Sequence, residues 1–230
     1  MEKKKVNLWG LDISARGLRE TSDWIQARKR GATVYCCTLN EVRTASENEK
    51  FRKILKRGTL LTADGMPLVW QMKLKNGKGE RVYGPDLMRE TIFKCKLRQI
   101  FIGDEKNKEY FEDKGEYIVL PYRNRFNETD YQKIVSKILK SRAKIVWVGL
   151  GSKKQVVVAD ELFKRLPDRI FVTVGVAFDY LSGNKIQAPK IIRKMGAEWL
   201  FRLICEPKRL WRRYAKIFKF LFRYYVMGEN

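Results

Sequence analysis

Several residues of this sequence stand where chemistry is usually done, at the point where an apolar run gives way to a turn. In TLLTADGMPLVW (59–70), Asp64 closes a strand-like run and is followed by Gly65, Met66 and Pro67. At the carboxyl end of a strand in a parallel sheet such a side chain projects into the cleft, and Gly65 allows a tight turn or a close ligand approach. A carboxylate so placed can serve as a general base, and it can equally be a helix cap or a turn aspartate. Asn40, after the CCTL run, carries the same two readings. In AKIVWVGLGSKKQ (143–155) a buried run ends in Gly149, Leu150 and Gly151, then Ser152, Lys153, Lys154 and Gln155. A glycine turn of this kind brings backbone N–H groups to a phosphate, with the helix dipole and Lys153 or Lys154 adding positive potential. It lacks both GxGxxG and GxxxxGK[ST], so a plain structural turn stands beside that reading. VTVGVAFDYLSG (172–183) repeats the theme: Gly175 can admit a ligand and Asp179 can bond a ribose or a base. Two adjacent glycine-bearing strand ends favour a nucleotide. In RVYGPDLM (81–88), Arg81 either clamps a phosphate bidentately or pairs with Asp86 at the surface.

The absences narrow the chemistry. There is no histidine among 230 residues, which excludes Ser-His-Asp and Cys-His catalysis and His-ligated metals, so acid–base work falls to carboxylates, Lys, Tyr or Cys. Cys36, Cys37, Cys95 and Cys205 form no CxxC pair, which argues against a zinc site and for a reduced, intracellular protein. No DxD sequence occurs, so neutralising a leaving diphosphate would fall to Arg, Lys and backbone amides. The start, MEKKKVNLWG, has no following apolar stretch, and no window reaches membrane-spanning length; the expectation is a chain neither secreted nor membrane-spanning.

These residues need elements to position them. The apolar runs at 32–40, 58–65, 98–104, 115–122, 143–151 and 169–179 are near-continuous and rich in Val and Ile, as central strands buried on both faces are. Amphipathic stretches such as 40–58 and 130–142 lie between them. The alternation predicts an α/β fold, a Rossmann-like mostly parallel sheet with helices on both faces, over 1–189. A hydrophobic content of 44% supplies a sizeable core.

Positions 190–230 form a separate, basic appendage. The whole chain has 49 Lys and Arg against 26 Asp and Glu, a net +23; positions 190–226 hold 11 Lys and Arg against 2 Glu, a net +9, with 9 aromatic residues. Pro207 should open a helix on which Leu210, Tyr214, Ile217, Leu221 and Tyr225 line one face. Arg209, Arg212, Lys216, Lys219 and Arg223 lie roughly opposite, and Trp211, Phe218 and Phe222 sit at the boundary. Three readings fit: an interfacial membrane helix with its apolar face in the acyl boundary, a core-packed terminal helix with a solvated basic face, and a nucleic-acid arm. The first is favoured, and no nucleic-acid motif accompanies the charge.

In order along the chain, TLNEV (38–42), LLTADGMPLVW (60–70), RVYGPDLM, IFIGD (100–104), VWVGLGSKKQ (146–155), VTVGVAFDYLSG, QAPKIIRKMGAEWLFRL (187–203) and EPKRLWRRY (206–214) resemble the WecG/TagA/CpsF glycosyltransferases, glycosyltransferase family 26. The resemblance implies an inverting, metal-independent transferase needing no cofactor. It would move a sugar from a UDP donor to a polyprenyl-diphosphate-linked sugar, peripherally on the cytoplasmic face of the cell membrane, in cell-surface polymer synthesis. Donors across the family include N-acetylmannosamine, its uronic acid, glucose and glucuronic acid. Carried over by motif, the base falls on Asp64 and pocket residues on Thr38, Asn40, Arg81 and Gln155. Nucleotide-contacting strand ends fall on Gly149, Gly151, Gly175 and Asp179, and the appendage arginines on Arg202, Arg209, Arg212 and Arg213. The family's Glu after the phosphate-turn Gln is Val156 here, and the stretch 103–121 is shorter than usual.

Because an ordinary Asp has a pKa of about 3.9, such a site is expected to desolvate Asp64 and raise it. Removing everything after about Met195 is expected to leave the core folded while abolishing membrane binding and transfer. The competing classes are a non-catalytic nucleotide-binding module recruited to anionic membranes and a nucleic-acid-binding protein.

Overall fold

The computed structural model describes residues 5–76, 78–120 and 126–227. The chain opens with a hairpin that the apolar-run pattern does not reveal: β1 (Lys5–Leu8) and β2 (Leu11–Ser14) pair antiparallel around a two-residue turn. Trp9 and Gly10 both have positive φ, 50° and 74°, as the primed hairpin turns require. Each strand is only four residues long and alternates: Val6 and Leu8, then Leu11 and Ile13, point into the core.

From there helices and strands alternate as expected. Helix α1 (Leu18–Ala27) leads to β3 (Ala32–Cys37), and α2 (Leu39–Glu47) and α3 (Glu49–Arg57) lead to β4 (Leu60–Ala63). The amphipathic stretch 40–58 is thus two helices. Asn48 leaves the helical region at φ −143°, and its side chain accepts the Phe51 N–H at 2.8 Å, capping α3. Then come α4 (Met66–Asn76), α5 (Gly84–Lys94), β5 (Gln99–Gly103), α6 (Lys108–Glu112) and β6 (Glu116–Val119). Pro121 and Tyr122, the end of the run read from 115, lie outside the described residues. The elements α7 (Glu128–Ser141), β7 (Ile145–Val148), α8 (Ser152–Arg165), β8 (Ile170–Thr173) and α9 (Ala177–Leu181) complete the body.

The eight strands form one sheet in the order β1-β2-β4-β3-β8-β7-β5-β6, parallel throughout except for the hairpin. Helices cover both faces, as an α/β sheet requires. Tyr35, Cys37, Val146 and Val148 belong to one apolar layer with side chains of α2, α3, α7 and α8. Val34, Cys36, Ile145 and Trp147 belong to the other, with side chains of α1, α5, α6 and α9. Because neighbours on a strand face opposite layers, unbroken apolar runs are what such strands need.

Three further helices follow: α10 (Lys190–Lys194), α11 (Glu198–Cys205) and α12 (Pro207–Val226), the last opened by Pro207 at its first turn. Helix α12 does not lay its apolar stripe outward. Leu210 and Ile217 are 1% and 8% exposed, and Ile217 joins the α2–α8 layer with Tyr214, Phe220 and Leu221 packed against it. The acyl-boundary role expected for this stripe is therefore corrected to core packing, for the usual reason that an adjacent apolar layer removes it from water. What α12 leaves exposed is the flank, Trp211, Phe218 and Phe222, beside the basic face, together with Tyr225 at the end of the stripe. Among the described residues no helix is long and apolar enough to cross a membrane.

Candidate active site

Parallel pairing brings the carboxyl ends of β3, β4, β7 and β8 to one edge of the sheet, and the register there is tight. The Asp64 N–H donates to the Cys37 carbonyl at 2.8 Å, and the Val174 N–H to that of Val148 at 3.2 Å. Over this edge lies a cavity of about 370 Å³ closed from above by α11 and α12. Thr38, Asn40, Asp64 and Arg81 line its body side; Arg202, Arg213, Trp199 and Tyr214 line its appendage side.

Asp64 is the chemical centre of that cavity. Its Oδ1 accepts the Gly84 N–H at 3.2 Å, and its backbone carbonyl accepts a short hydrogen bond from Arg81 Nε. Burial raises its carboxyl to about 7; the Arg81 charge and the Gly84 N–H hold it down in part, while the Glu198 charge pushes it further up. The desolvation expected of a base at this position is what the surroundings provide.

Arg81 does not take the surface pairing with Asp86. Its Nη2 donates to Glu198 Oε2 at 2.5 Å, and its guanidinium stacks over the Tyr83 ring at 4.1 Å. Asp86 pairs instead with Arg89 and Arg193, each at 3.1 Å. Glu198 also accepts the Tyr83 hydroxyl at 3.0 Å. Burial works against the Arg81 charge, but the Asp64 and Glu198 carboxylates outweigh it and hold the guanidinium firmly protonated.

Thr38 and Asn40 belong to a second network. Thr38 caps α2: its hydroxyl accepts the Asn40 N–H at 3.2 Å and donates to Glu41 Oε2 at 2.5 Å, while Glu41 takes the Thr38 N–H at 2.9 Å. This is a capping box, legible as Thr-x-x-Glu. Asn40 Nδ2 donates to Ser152 Oγ at 2.6 Å, and Ser152 in turn donates to Glu41, so the end of β3 is tied to the start of α8.

Gln155, Gly149, Gly151, Lys153, Gly175 and Asp179 do not line this cavity. Gln155 is 3% exposed and its Oε1 accepts the Gly175 N–H at 2.8 Å, fixing the turn after β8. A Cβ at Gly149 would meet the Phe178 ring at 2.3 Å, so packing, not ligand approach, accounts for that glycine. Gly151, at φ +80°, opens α8 with no atom within 4 Å of where its Cβ would be. Lys153 lies 6.0 Å from the Phe51 ring. Asp179 is engaged by Lys106 at 2.9 Å, Lys185 at 3.4 Å and Asn107 at 3.1 Å, contacts that hold its carboxyl down against the burial that would raise it. A carboxylate so engaged ties α9 to the Lys106–Asn107 segment. Val156 is core, 1% exposed, so the departure at that position suits its surroundings.

The appendage arginines separate in the same way. Arg209 forks onto Glu206 at 2.6 and 2.7 Å, and Arg212 stands exposed on the basic face. Arg202 and Arg213 face the cavity, and the Nε of each is buried with no hydrogen-bond partner among the described residues. Burial lowers the Arg213 guanidinium, the Glu41 charge opposing this and Arg202 adding to it. Two cavity-lining cations whose Nε donors lack acceptors are side chains of this cavity able to bind an anion. Among the described residues no group of three or more Cys, Asp or Glu side chains is placed to hold a metal ion. Glu41, Glu198 and Tyr83, which organise the site, were not picked out by sequence. Only Glu41 left a local signal, the capping box.

A chain cut after Met195 would lack three side chains that pack on the body. Glu198 is the partner of buried Arg81, and Leu210 and Ile217 are core residues.

The family model described as "Glycosyl transferase WecG/TagA/CpsF family" matches residues 6–229, nearly the whole chain, hairpin and appendage included.

Proposed function

The chain belongs to the WecG/TagA/CpsF glycosyl transferase family, and from that premise we propose that it transfers a sugar, with inversion and without a metal, from a UDP donor to a polyprenyl-diphosphate-linked sugar, working peripherally on the cytoplasmic membrane face. The observation that carries this reading is the pairing, in one cavity, of a carboxylate raised to about 7 with two unpartnered guanidinium groups.

The chemistry is a single displacement. The acceptor hydroxyl oxygen bonds to the anomeric carbon as the bond from that carbon to the leaving phosphate oxygen breaks. The hydroxyl proton passes to the Asp64 carboxylate, and the electron pair leaves with UDP. A base with a pKa near 7 is matched to a neutral operating pH. Negative charge grows on the departing diphosphate, and Arg202 and Arg213 are the preorganised cations that meet it. Arg81, committed to Glu198, positions the Asp64 backbone and does not reach for phosphate. The open glycine at the start of α8 is the opening through which a nucleotide phosphate would reach backbone N–H groups.

Membrane residence rests on the exposed flank of α12. Trp211, Phe218 and Phe222 are each more than half exposed beside Lys208, Arg212, Lys216 and Lys219, the combination that seats a helix among anionic headgroups. Incubation with a panel of UDP-sugars and lipid-linked acceptors, followed by release of UDP, tests the reading. A protein that binds UDP but releases none with any donor would be a nucleotide-binding module and not a transferase.

A further inference from the structure

A groove of about 570 Å³ lies on the far side of Trp9 from the catalytic cavity, between the hairpin turn, α3, the end of α4 and α12. Trp9 lines both. Arg52, Lys75, Lys216, Lys219 and Arg223 line the groove, with Glu47 the one carboxylate, and Glu47 is already bonded to Arg43. Lys75 donates to the Asn7 carbonyl at 3.2 Å; Arg52, Lys216 and Lys219 have no ion pair among the described residues. Two N–H donors on the lining residues, Arg52 Nε and Trp9 Nε1, are buried without a partner. Buried donors without acceptors are costly, and three cations, Arg52, Lys216 and Lys219, without carboxylate partners among the described residues call for an anion.

The hairpin is shaped around this groove. A Cβ on Gly10 would stand 2.3 Å from Arg52 Nη2, so glycine, at φ +74°, lets the turn close over the guanidinium without displacing it. Trp9, a bulky residue held at φ 50°, is kept there by the Phe220 and Tyr224 rings of α12 at 5.8 and 5.4 Å.

We propose that this groove is a second, non-catalytic site for a phosphate-bearing group, supplied by the headgroup of an anionic lipid. The lipid source follows from α12 itself: Phe222, one helical turn from Lys219, is more than half exposed, so apolar surface adjoins the cations as it does at a membrane interface. The site would fix the rotation of α12 against the bilayer independently of catalysis.

The test uses the full chain, with partitioning onto phosphatidylglycerol and phosphatidylcholine vesicles and the Trp9 indole N–H resonance, assigned through W9F, as readouts. R52Q/K219Q is compared with K53Q/K56Q, which removes equal charge from the solvent face of α3. The groove variant should lose about tenfold more phosphatidylglycerol partitioning than the control. Pyrophosphate should shift the Trp9 resonance in wild type and not in the groove variant. Should R52Q disturb the fold, K216Q/K219Q, exposed at both positions, replaces it. A pyrophosphate shift without the vesicle difference would assign the groove to a free phosphate and overturn the lipid source. Equal losses in groove and control variants with an unmoved Trp9 resonance would overturn the site.

Discussion

Arg81 and Glu198 stand 117 positions apart and meet at 2.5 Å, their side chains 18% and 10% exposed. The pair fastens α11 to the segment that carries Asp64, and its two charges act on the Asp64 carboxyl in opposite directions. Appendage and base are thereby one electrostatic unit.

Asp64→Asn should lower transfer about 100-fold or more while the protein stays folded, since general-base assistance is worth that much. UDP release at saturating donor and acceptor measures it; near-normal turnover by folded D64N would remove Asp64 from the mechanism.

The raised carboxyl also sets a pH dependence. The base acts ionised, so kcat should rise through about pH 7 and level above it. For stability the sign is the reverse. The unfolded chain gives up this proton from about pH 4, the folded chain not until about pH 7, so the stability associated with the protonated group is present at low pH and lost as pH rises through that window. D64N should therefore melt above wild type at pH 8, by on the order of 2 kcal/mol more than at pH 5. Superimposable gains at the two pH values would contradict a raised carboxyl.

Glu198→Gln removes the larger of the two carboxylate charges that push Asp64 up and leaves the Arg81 charge in place. The midpoint of the kcat rise should move to lower pH, and the melting temperature should fall because a buried ion pair has lost one partner, at a cost of about 3 kcal/mol. A pH profile unchanged in a destabilised E198Q would make the pair structural only.

Arg202 and Arg213 should behave oppositely to Arg81. Each buries an unpartnered Nε, so R202A or R213A should leave the melting temperature of the free protein unchanged or raised. Loss of a charge-assisted bond to diphosphate should weaken UDP inhibition about tenfold per residue. Isothermal titration with UDP reads this directly, and wild-type affinity in the double variant would place the diphosphate elsewhere.

On α12 the two sides should separate membrane binding from stability. W211S/F218S/F222S, all exposed, should lower partitioning onto anionic vesicles about tenfold with little change in melting. L210A or I217A should cost about 3 kcal/mol of stability through the cavity left in a packed layer. Vesicle binding by the triple variant equal to wild type would show that the aromatic flank does not reach the bilayer.

Much of the scaffold was legible because each strand speaks for itself. Within runs such as 143–151 and 169–179 the stretches 145–148 and 170–172 are apolar at every position, and a strand buried on both faces needs that. The hairpin was missed because four-residue strands around Trp9 and Gly10 give too short an alternation to register. Asp64 was legible because a polar residue directly after such a run has one place to go in a parallel sheet.

The sequence by itself determined the alternation of strand and helix, the helix opened at Pro207, the strand-end position of Asp64, and a chemistry restricted to carboxylates and cations by the lack of histidine. Only the tertiary structure decided which of those groups meet. It joined Arg81 to Glu198, committed Gly149 and Asp179 to packing and ion pairs, and turned Leu210 and Ile217 inward so that the flank of α12 became its exposed apolar surface. The physical reason is the range of the forces. Strand burial and helix capping are written within a few neighbouring residues, whereas the partner of a buried charge or the layer that covers an apolar stripe is supplied by chain far away in sequence, and that choice exists only once the fold has closed.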